Sequence, residues 1–230
     1  MLDHPIFSES IRRIRLLLAE QAAADPAWAR TLAALSPLER DVLERCIHSS
    51  GDAAIAADLR FSPCAAEDGT GGACGIGAAA LAAGAPIITD TVMAAAAVAP
   101  MARRTFANRV ACVLEWAPER APEGSTRAAA GMAAALAELA AAGEPSPLVL
   151  VGSAPTALEL LLERVAAGAP APALVIGMPV GFVGVAESKR KLTASGLAQV
   201  RLEGSRGGAG LVAAACNALL RAAWLDRSGA

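Results

Sequence analysis

The chain has 230 residues, enough for one large domain, and 55% of them are hydrophobic although only 3% are aromatic. Its formal net charge of −2 gives no basic face for nucleic acid, so nucleic-acid binding is not expected. No apolar run reaches the roughly 20 residues of a membrane span without a charge, proline or glycine, and the N-terminus does not resemble an export signal. We therefore expect a cytoplasmic protein without a membrane segment.

The cysteines are odd in number and widely spaced, with no Cys-x-x-Cys pair. Zinc sites favour closely spaced Cys and His ligands, so this spacing argues against a metal site. The sequence predicts reduced, mostly buried thiols at Cys46, Cys64, Cys74, Cys112 and Cys216.

Two helices are predicted in the first quarter of the chain. Residues 6–24 carry apolar side chains at helical spacing, and Ser36-Pro37-Leu38-Glu39 is typical of a helix start. The second helix is expected to end near Gly51, which places His48 in its last turn. Because an imidazole has an ordinary pKa near neutrality, His48 is a candidate acid or base, although an ordinary surface or core histidine is the alternative.

Residues 69–77 are rich in glycine but lack the lysine and Ser/Thr ending of a P-loop. We expect a flexible surface insertion here, with a helix continuing from Ala78. Since no other loop completes a P-loop or Rossmann pattern, a nucleotide-binding α/β enzyme is the weaker alternative.

Short apolar strands alternate with helices in the rest of the chain, at residues 86–91, 110–114, 148–151, 174–176 and 197–202. This alternation predicts right-handed crossovers, and hence an α/β fold: a single domain over residues 1–230 with a largely parallel sheet flanked by helices. Ligands of such sheets bind at the carboxyl ends of the strands, where Asp90, Ser153 and Thr156 occur. A helix N-cap role for Asp90 or Thr91 is the alternative there.

The loop after the strand at residues 174–176 is unusually apolar. It contains Met178, Val180, Phe182 and Val183, interrupted by Gly177, Pro179 and Gly181, before the polar group Glu187, Ser188 and Lys189. Loops are usually polar, so these side chains require cover from a partner chain, another loop or a flat apolar ligand, unless the segment is an ordinary strand-to-helix connection. Thr126 and Arg127 open a separate alanine-rich helix, where backbone amides and a guanidinium suit a carboxylate.

Six segments, taken together and in order, resemble the precorrin-8X methylmutase family of cobalamin biosynthesis. They are Cys46-Ile47-His48-Ser49-Ser50-Gly51, Gly84-Ala85-Pro86-Ile87 with Asp90, Gly124-Ser125-Thr126-Arg127, Gly152-Ser153-Ala154-Pro155-Thr156-Ala157-Leu158, residues 177–189 beginning Gly-Met-Pro-Val-Gly-Phe-Val-Gly, and Gly207-Gly208. The resemblance covers most of the chain.

The resemblance implies an α/β homodimer that holds a tetrapyrrole in a deep cleft. It implies an isomerase that moves a methyl group between adjacent ring-C carbons of precorrin-8X or cobalt-precorrin-8, without cofactor or methyl donor, and that can hand its product to the next enzyme. His48 would protonate the macrocycle, while Arg127 and Ser10 match the family's binding arginine and N-terminal serine. A non-catalytic tetrapyrrole carrier is the alternative.

A broad apolar ring edged with carboxylates needs aliphatic walls and cationic or amide contacts at its rim. We expect both from the segments that carry the resemblance. The predicted substrate-binding residues are Ser10, Asp90, Thr126, Arg127, Ser153, Thr156, Met178, Pro179, Gly181, Phe182, Val183, Glu187, Ser188, Lys189, Arg206, Gly207 and Gly208.

Overall fold

The computed structural model describes residues 3–63 and 72–229. In these residues there are nine α-helices, six strands and two 3₁₀ turns, the turns at Ala53–Ala57 and Val113–Glu115. The helices are α1 Pro5–Ala24, α2 Pro26–Ala33, α3 Pro37–Ser50, α4 Ala73–Ala82, α5 Val92–Arg104, α6 Arg127–Ala141, α7 Pro155–Ala166, α8 Val185–Ala194 and α9 Ala209–Ser228. The strands are β1 Leu59–Phe61, β2 Ile87–Thr89, β3 Val110–Cys112, β4 Leu148–Val151, β5 Leu174–Gly177 and β6 Gln199–Leu202.

The strands form one sheet in the order β1-β6-β5-β4-β2-β3. Every neighbouring pair is parallel except β1 and β6, which run antiparallel at one edge. The predicted α/β fold with a largely parallel sheet is therefore confirmed. The edge strand β1 was not predicted, because three residues are too few to show an alternating pattern.

Helices cover both faces of the sheet, so the two central strands, β4 and β5, are buried and carry no polar side chain. Successive side chains of β4 point to opposite faces: Leu148 and Leu150 pack with α3, α4, α5 and α9, whereas Val149 and Val151 pack with α6, α7 and α8. The sheet thus separates two apolar cores, and only its edges and strand ends are available for polar chemistry.

Helix α9 is the central helix of the first core. Among the described residues it is the one helix long and apolar enough to cross a bilayer, but half of its apolar window is buried inside the protein. It packs against α3, α4 and α5. Its apolar composition is therefore explained by its place in the core.

Helix α4 begins earlier than the sequence indicated. Residues 69–71 of the expected insertion lie outside the described residues, whereas residues 73–77 are the first half of α4, with Ala73 and Cys74 buried. A Cβ on Gly77 would come within 2.5 Å of Leu174 Cδ2. Glycine here permits close helix-to-sheet packing, so in these residues the composition reflects packing and not a loop.

The carboxyl ends of β2, β4, β5 and β6 lie along the same side of the sheet, since these four strands are parallel. We call this side the carboxyl edge. The segments that leave them begin at Asp90, Gly152, Met178 and Glu203. Most of the predicted site residues occur in these segments.

Candidate functional site

His48 lies in the last turn of α3 and is exposed. The helix is fixed at its start by the predicted capping box of Ser36 and Glu39, and it ends at Gly51 with a φ of 69°. The hydroxyl of Ser10, on α1, lies 2.7 Å from His48 Nδ1. With Nδ1 engaged, Nε2 is the nitrogen left to exchange a proton with a ligand.

Two further side chains support His48. The Phe7 ring contacts the His48 ring edge-on, with the ring centroids 5.2 Å apart. The Arg45 guanidinium in turn lies over the Phe7 ring, 4.6 Å from its centroid. Ser10 and Phe7 both come from α1. The imidazole is therefore oriented by contacts from a second helix and is not a free surface side chain.

Arg45 was not singled out from the sequence. It lies three residues before His48 on the same helix, a spacing that places both on one helical face and could have identified it. Its Nη1 is buried with no hydrogen-bond partner among the described residues, and this burial lowers the pKa of the guanidinium. A buried donor without a partner is unusual and indicates a site for an acceptor.

A cavity of about 430 Å³ opens beside these two side chains. It is bounded by α3, α5 and the first turns of α9. Its lining residues are Arg45, His48, Ser49, Ala97, Gly210, Ala213, Ala214 and Asn217.

Residues 204–210, which we call the rim strap, join β6 to α9. Gly208 N donates to Met178 O at 2.9 Å, and Ser205 O accepts from Gly181 N at 3.0 Å. A Cβ on Gly207 would lie 1.9 Å from Met178 O, so only glycine allows this approach. On the other side, Ser49 Oγ donates to Gly210 O at 3.4 Å. The rim strap thus contacts both the apolar loop and the end of the His48 helix.

The apolar loop, residues 178–184, is only partly available to a ligand. Met178 and Pro179 are buried within the fold, whereas Val180, Phe182 and Val183 are 47%, 95% and 88% exposed. Of the predicted covers for Met178, neither a partner chain nor a ligand is needed, because the protein's own core covers this side chain. The remaining three side chains form an exposed apolar surface.

The polar group after this loop does not act as one unit. Glu187 is exposed and ion-paired with Arg190, which lowers its pKa. Ser188 is buried, and its hydroxyl donates to Val185 O at 2.9 Å. Lys189 is 1% exposed, and its Nζ donates to the carbonyls of Gly204 and Arg206, both at 2.7 Å. Of the three, only Glu187 has its side chain at the surface.

Arg206 is also engaged within the protein. Its Nη1 donates to Asp52 at 2.7 Å, and its Nη2 is paired with Asp58. The sequence predicted Lys189 and Arg206 as cations at the substrate's edge; the structure instead directs both side chains to protein partners.

Asp90 is 1% exposed and is used by the backbone. Its Oδ2 accepts from the amides of Gly152, Ser153 and Ala154 at 3.1, 2.6 and 2.7 Å, immediately before α7. Burial raises the pKa of this carboxyl, and the three amides oppose that effect. Asp90 therefore stabilises the turn that carries Ser153 and leads to Thr156, while Thr91 caps α5, as the capping alternative predicted.

Thr126 and Thr156 meet across this turn, with their hydroxyls 2.8 Å apart. Thr126 also caps α6 by accepting from Ala129 N at 3.1 Å. Arg127 is exposed, and its Nε donates to Pro118 O at 2.8 Å. This bond engages the Arg127 side chain with the segment before α6, whereas Thr126 and Thr156 form a hydroxyl pair that joins the starts of α6 and α7.

The four described cysteines, Cys46, Cys74, Cys112 and Cys216, are all buried; Cys64 lies outside the described residues. Burial raises the pKa of Cys46 and of Cys216 to about 12, so neither is a thiolate near neutral pH. In the described part of the chain, no three His, Cys, Asp or Glu side chains form a metal-binding group.

Comparison with known proteins identifies a family for this arrangement. The family model described as precorrin-8X methylmutase matches residues 5–222. The precorrin-8X methylmutase of Pseudomonas aeruginosa is 46% identical over 180 residues, which are 76% of this chain and 80% of that protein. The cobalt-precorrin-8 methylmutase of Synechocystis is 34% identical and covers 98% of both chains.

A solved structure that is named for the same enzyme has the same fold. The precorrin-8x methyl mutase of Thermus thermophilus superposes with a TM-score of 0.72 at 36% identity, covering 95% of each chain. Sequence and fold thus agree over nearly the whole length.

Proposed function

Because this chain belongs to the precorrin-8X methylmutase family, and is an isomerase of corrin biosynthesis, we propose that His48 is the acid that assists its methyl shift. The substrate is precorrin-8X or its cobalt form, the compounds for which the relatives are named. The observation that carries the proposal is the 2.7 Å contact between Ser10 and His48 Nδ1, which leaves Nε2 free to face the ligand.

The reaction is balanced without a second reactant. One carbon–methyl bond of ring C breaks and one forms on the adjacent carbon, so the shift has neither donor nor acceptor outside the substrate. Protonation by His48 withdraws electron density from the macrocycle and lowers the barrier, and the proton returns to Nε2 when the product forms. An imidazole suits this exchange because its ordinary pKa is near neutral.

Two arginines fit the carboxylates of the ring. Arg45 brings a buried Nη1 that has no partner among the described residues, and Arg127 brings an exposed guanidinium at the start of α6, next to Thr126 in sequence. Guanidinium–carboxylate contacts are strong and directional. Val180, Phe182 and Val183 supply an apolar wall.

A homodimer completes this proposal. Phe182 and Val183 are exposed after β5, and Val92 and Met93 are 61% and 67% exposed at the start of α5, directly after β2 and Thr91. Both strands pair with β4, so the two apolar groups share the carboxyl edge of the sheet. A second copy placed there would shield the macrocycle, and a cytoplasmic partner enzyme could receive the product from the same edge.

Turnover of precorrin-8X by the wild type, His48→Ala and His4→Ala tests the role of His48. We expect His48→Ala to lose roughly 10²–10⁴-fold in kcat, the usual contribution of a general acid. His4→Ala, which removes the other histidine and only a helix cap, should behave as the wild type. Equal turnover by His48→Ala would exclude it from the chemistry, and a wild type that binds the corrinoid without turnover would indicate a carrier.

A further inference from the structure

Lys189 and Arg206 hold the rim strap from two sides. From α8, the buried Lys189 ammonium donates to two strap carbonyls, those of Gly204 and Arg206. Both partners are neutral. Burying an ammonium is costly, so charge-assisted bonds of 2.7 Å to these carbonyls indicate a segment that is fixed in place.

Arg206 extends this connection to the other side of the strap. Its guanidinium pairs with Asp52 and Asp58, which bracket the 3₁₀ turn Ala53–Ala57. That turn follows α3 directly after Gly51, the residue that ends the His48 helix. The strap is therefore tied to the segment that leaves the proposed acid.

The same strap supports the apolar loop. Gly208 N and Ser205 O bond to Met178 O and Gly181 N, and residues 178–184 carry Phe182. One short segment thus touches the loop proposed to hold the macrocycle and the helix end proposed to protonate it.

We infer that Lys189 and Arg206 are positioning residues for the methyl shift. They fix the rim strap so that the apolar loop and His48 face the same bound ring. This inference rests on the proposed function. Neither side chain contacts the substrate in this role, which explains why both cations are bound to protein groups at an edge where free cations were expected.

The charges around Lys189 are consistent with this role. Glu203, at the end of β6, and Asp58, after the 3₁₀ turn, attract its ammonium, and Asp58 is itself paired with Arg206. Burial outweighs the attraction and lowers the pKa of Lys189 to about 8. The side chain is therefore still mainly protonated at neutral pH and donates as a cation.

The inference is tested with Lys189→Met and Arg206→Met, and with Lys191→Met as the control. Lys191 lies on the same helix but pairs with Glu159, away from the strap. We expect both test variants to lose about tenfold in kcat, equivalent to about 1.4 kcal/mol, with KM within about threefold because the wall and the rim arginines remain. In hydrogen exchange, the amides of Gly181 and Gly208, which bond the apolar loop to the rim strap and which we call the strap amides, should exchange faster, with unchanged protection in β4.

Loss of stability alone would not give this pattern, since it would reduce protection in β4 as well. If Lys189→Met does not fold, Arg206→Met still decides the question, because its side chain is 38% exposed. Wild-type kcat, or wild-type protection of the strap amides, in a folded variant would overturn the inference. Failure of the proposed function would look different: the wild type would not turn over, while the strap amides would still respond to the substitutions.

Discussion

The Ser10–His48 contact is the smallest feature on which the proposed chemistry depends. A hydroxyl on Nδ1 fixes the ring orientation that leaves Nε2 open. We expect Ser10→Ala to lower kcat about five- to tenfold, the value of one hydrogen bond, with little change in stability. Ser8→Ala, an exposed serine on the same helix, is the control. Identical kinetics for the two variants would show that Ser10 does not orient the imidazole.

Lys189 gives a second prediction, for stability against pH. Its pKa is about 8 in the folded protein and 10.5 ordinarily, so between these values the unfolded chain binds more protons. Stability contributed by this residue must then rise with pH from about 8 to 10.5, as the cost of burying the charge disappears. Urea unfolding of the wild type and Lys189→Met from pH 7 to 10 measures this. A difference in unfolding free energy that stays constant would contradict it.

Helix α7 shows how one buried side chain organises an element. Its N-cap residue, Ala154, makes no capping hydrogen bond with its side chain. Asp90, after the end of β2, instead accepts hydrogen bonds from the three backbone amides that precede the helix. Asp90→Ala leaves three amides without an acceptor, and we expect a loss of about 3 kcal/mol in unfolding free energy. Asp25→Ala removes an ordinary cap at the exposed start of α2 and should cost only about 1 kcal/mol. Equal losses would mean that Asp90 is an ordinary cap.

The elements that sequence reasoning found, and those it missed, differ in where their signals lie. The start of α3 was predictable because Ser36, Pro37 and Glu39 act locally. The start of α4 was not, because Gly77 is dictated by Leu174, far away in the chain. The hydrogen-bond partners of Lys189 and Arg206 could not be predicted for the same reason. The residues next to Lys189 do not reveal its bond to Gly204, and those next to Arg206 do not reveal its pairing with Asp52.

At the scale of the whole molecule, the chemistry-bearing residues come from segments distant in sequence. His48 and Ser10 lie on helices that precede the first strand in the chain. Phe182 and Arg127 lie in segments that follow β5 and β3. The general rule for parallel sheets places the ligand at the carboxyl edge, and the family resemblance places His48 in the site. The spacing from His48 could have identified Arg45, but the burial of its Nη1 without a partner among the described residues is a property of the packed structure.

The exposed apolar groups at that edge predict the state of assembly. Phe182 is 95% exposed in the single chain, and a large aromatic side chain in such a patch is stabilised when a second copy covers it. We expect a dimer for the wild type by sedimentation velocity, and a monomer for Phe182→Ser. Leu16→Ser, which removes an apolar side chain that is 53% exposed on α1, should remain dimeric. A dimer that survives Phe182→Ser but dissociates with Leu16→Ser would place the interface on α1, and a monomeric wild type would leave the macrocycle as the only cover for this edge.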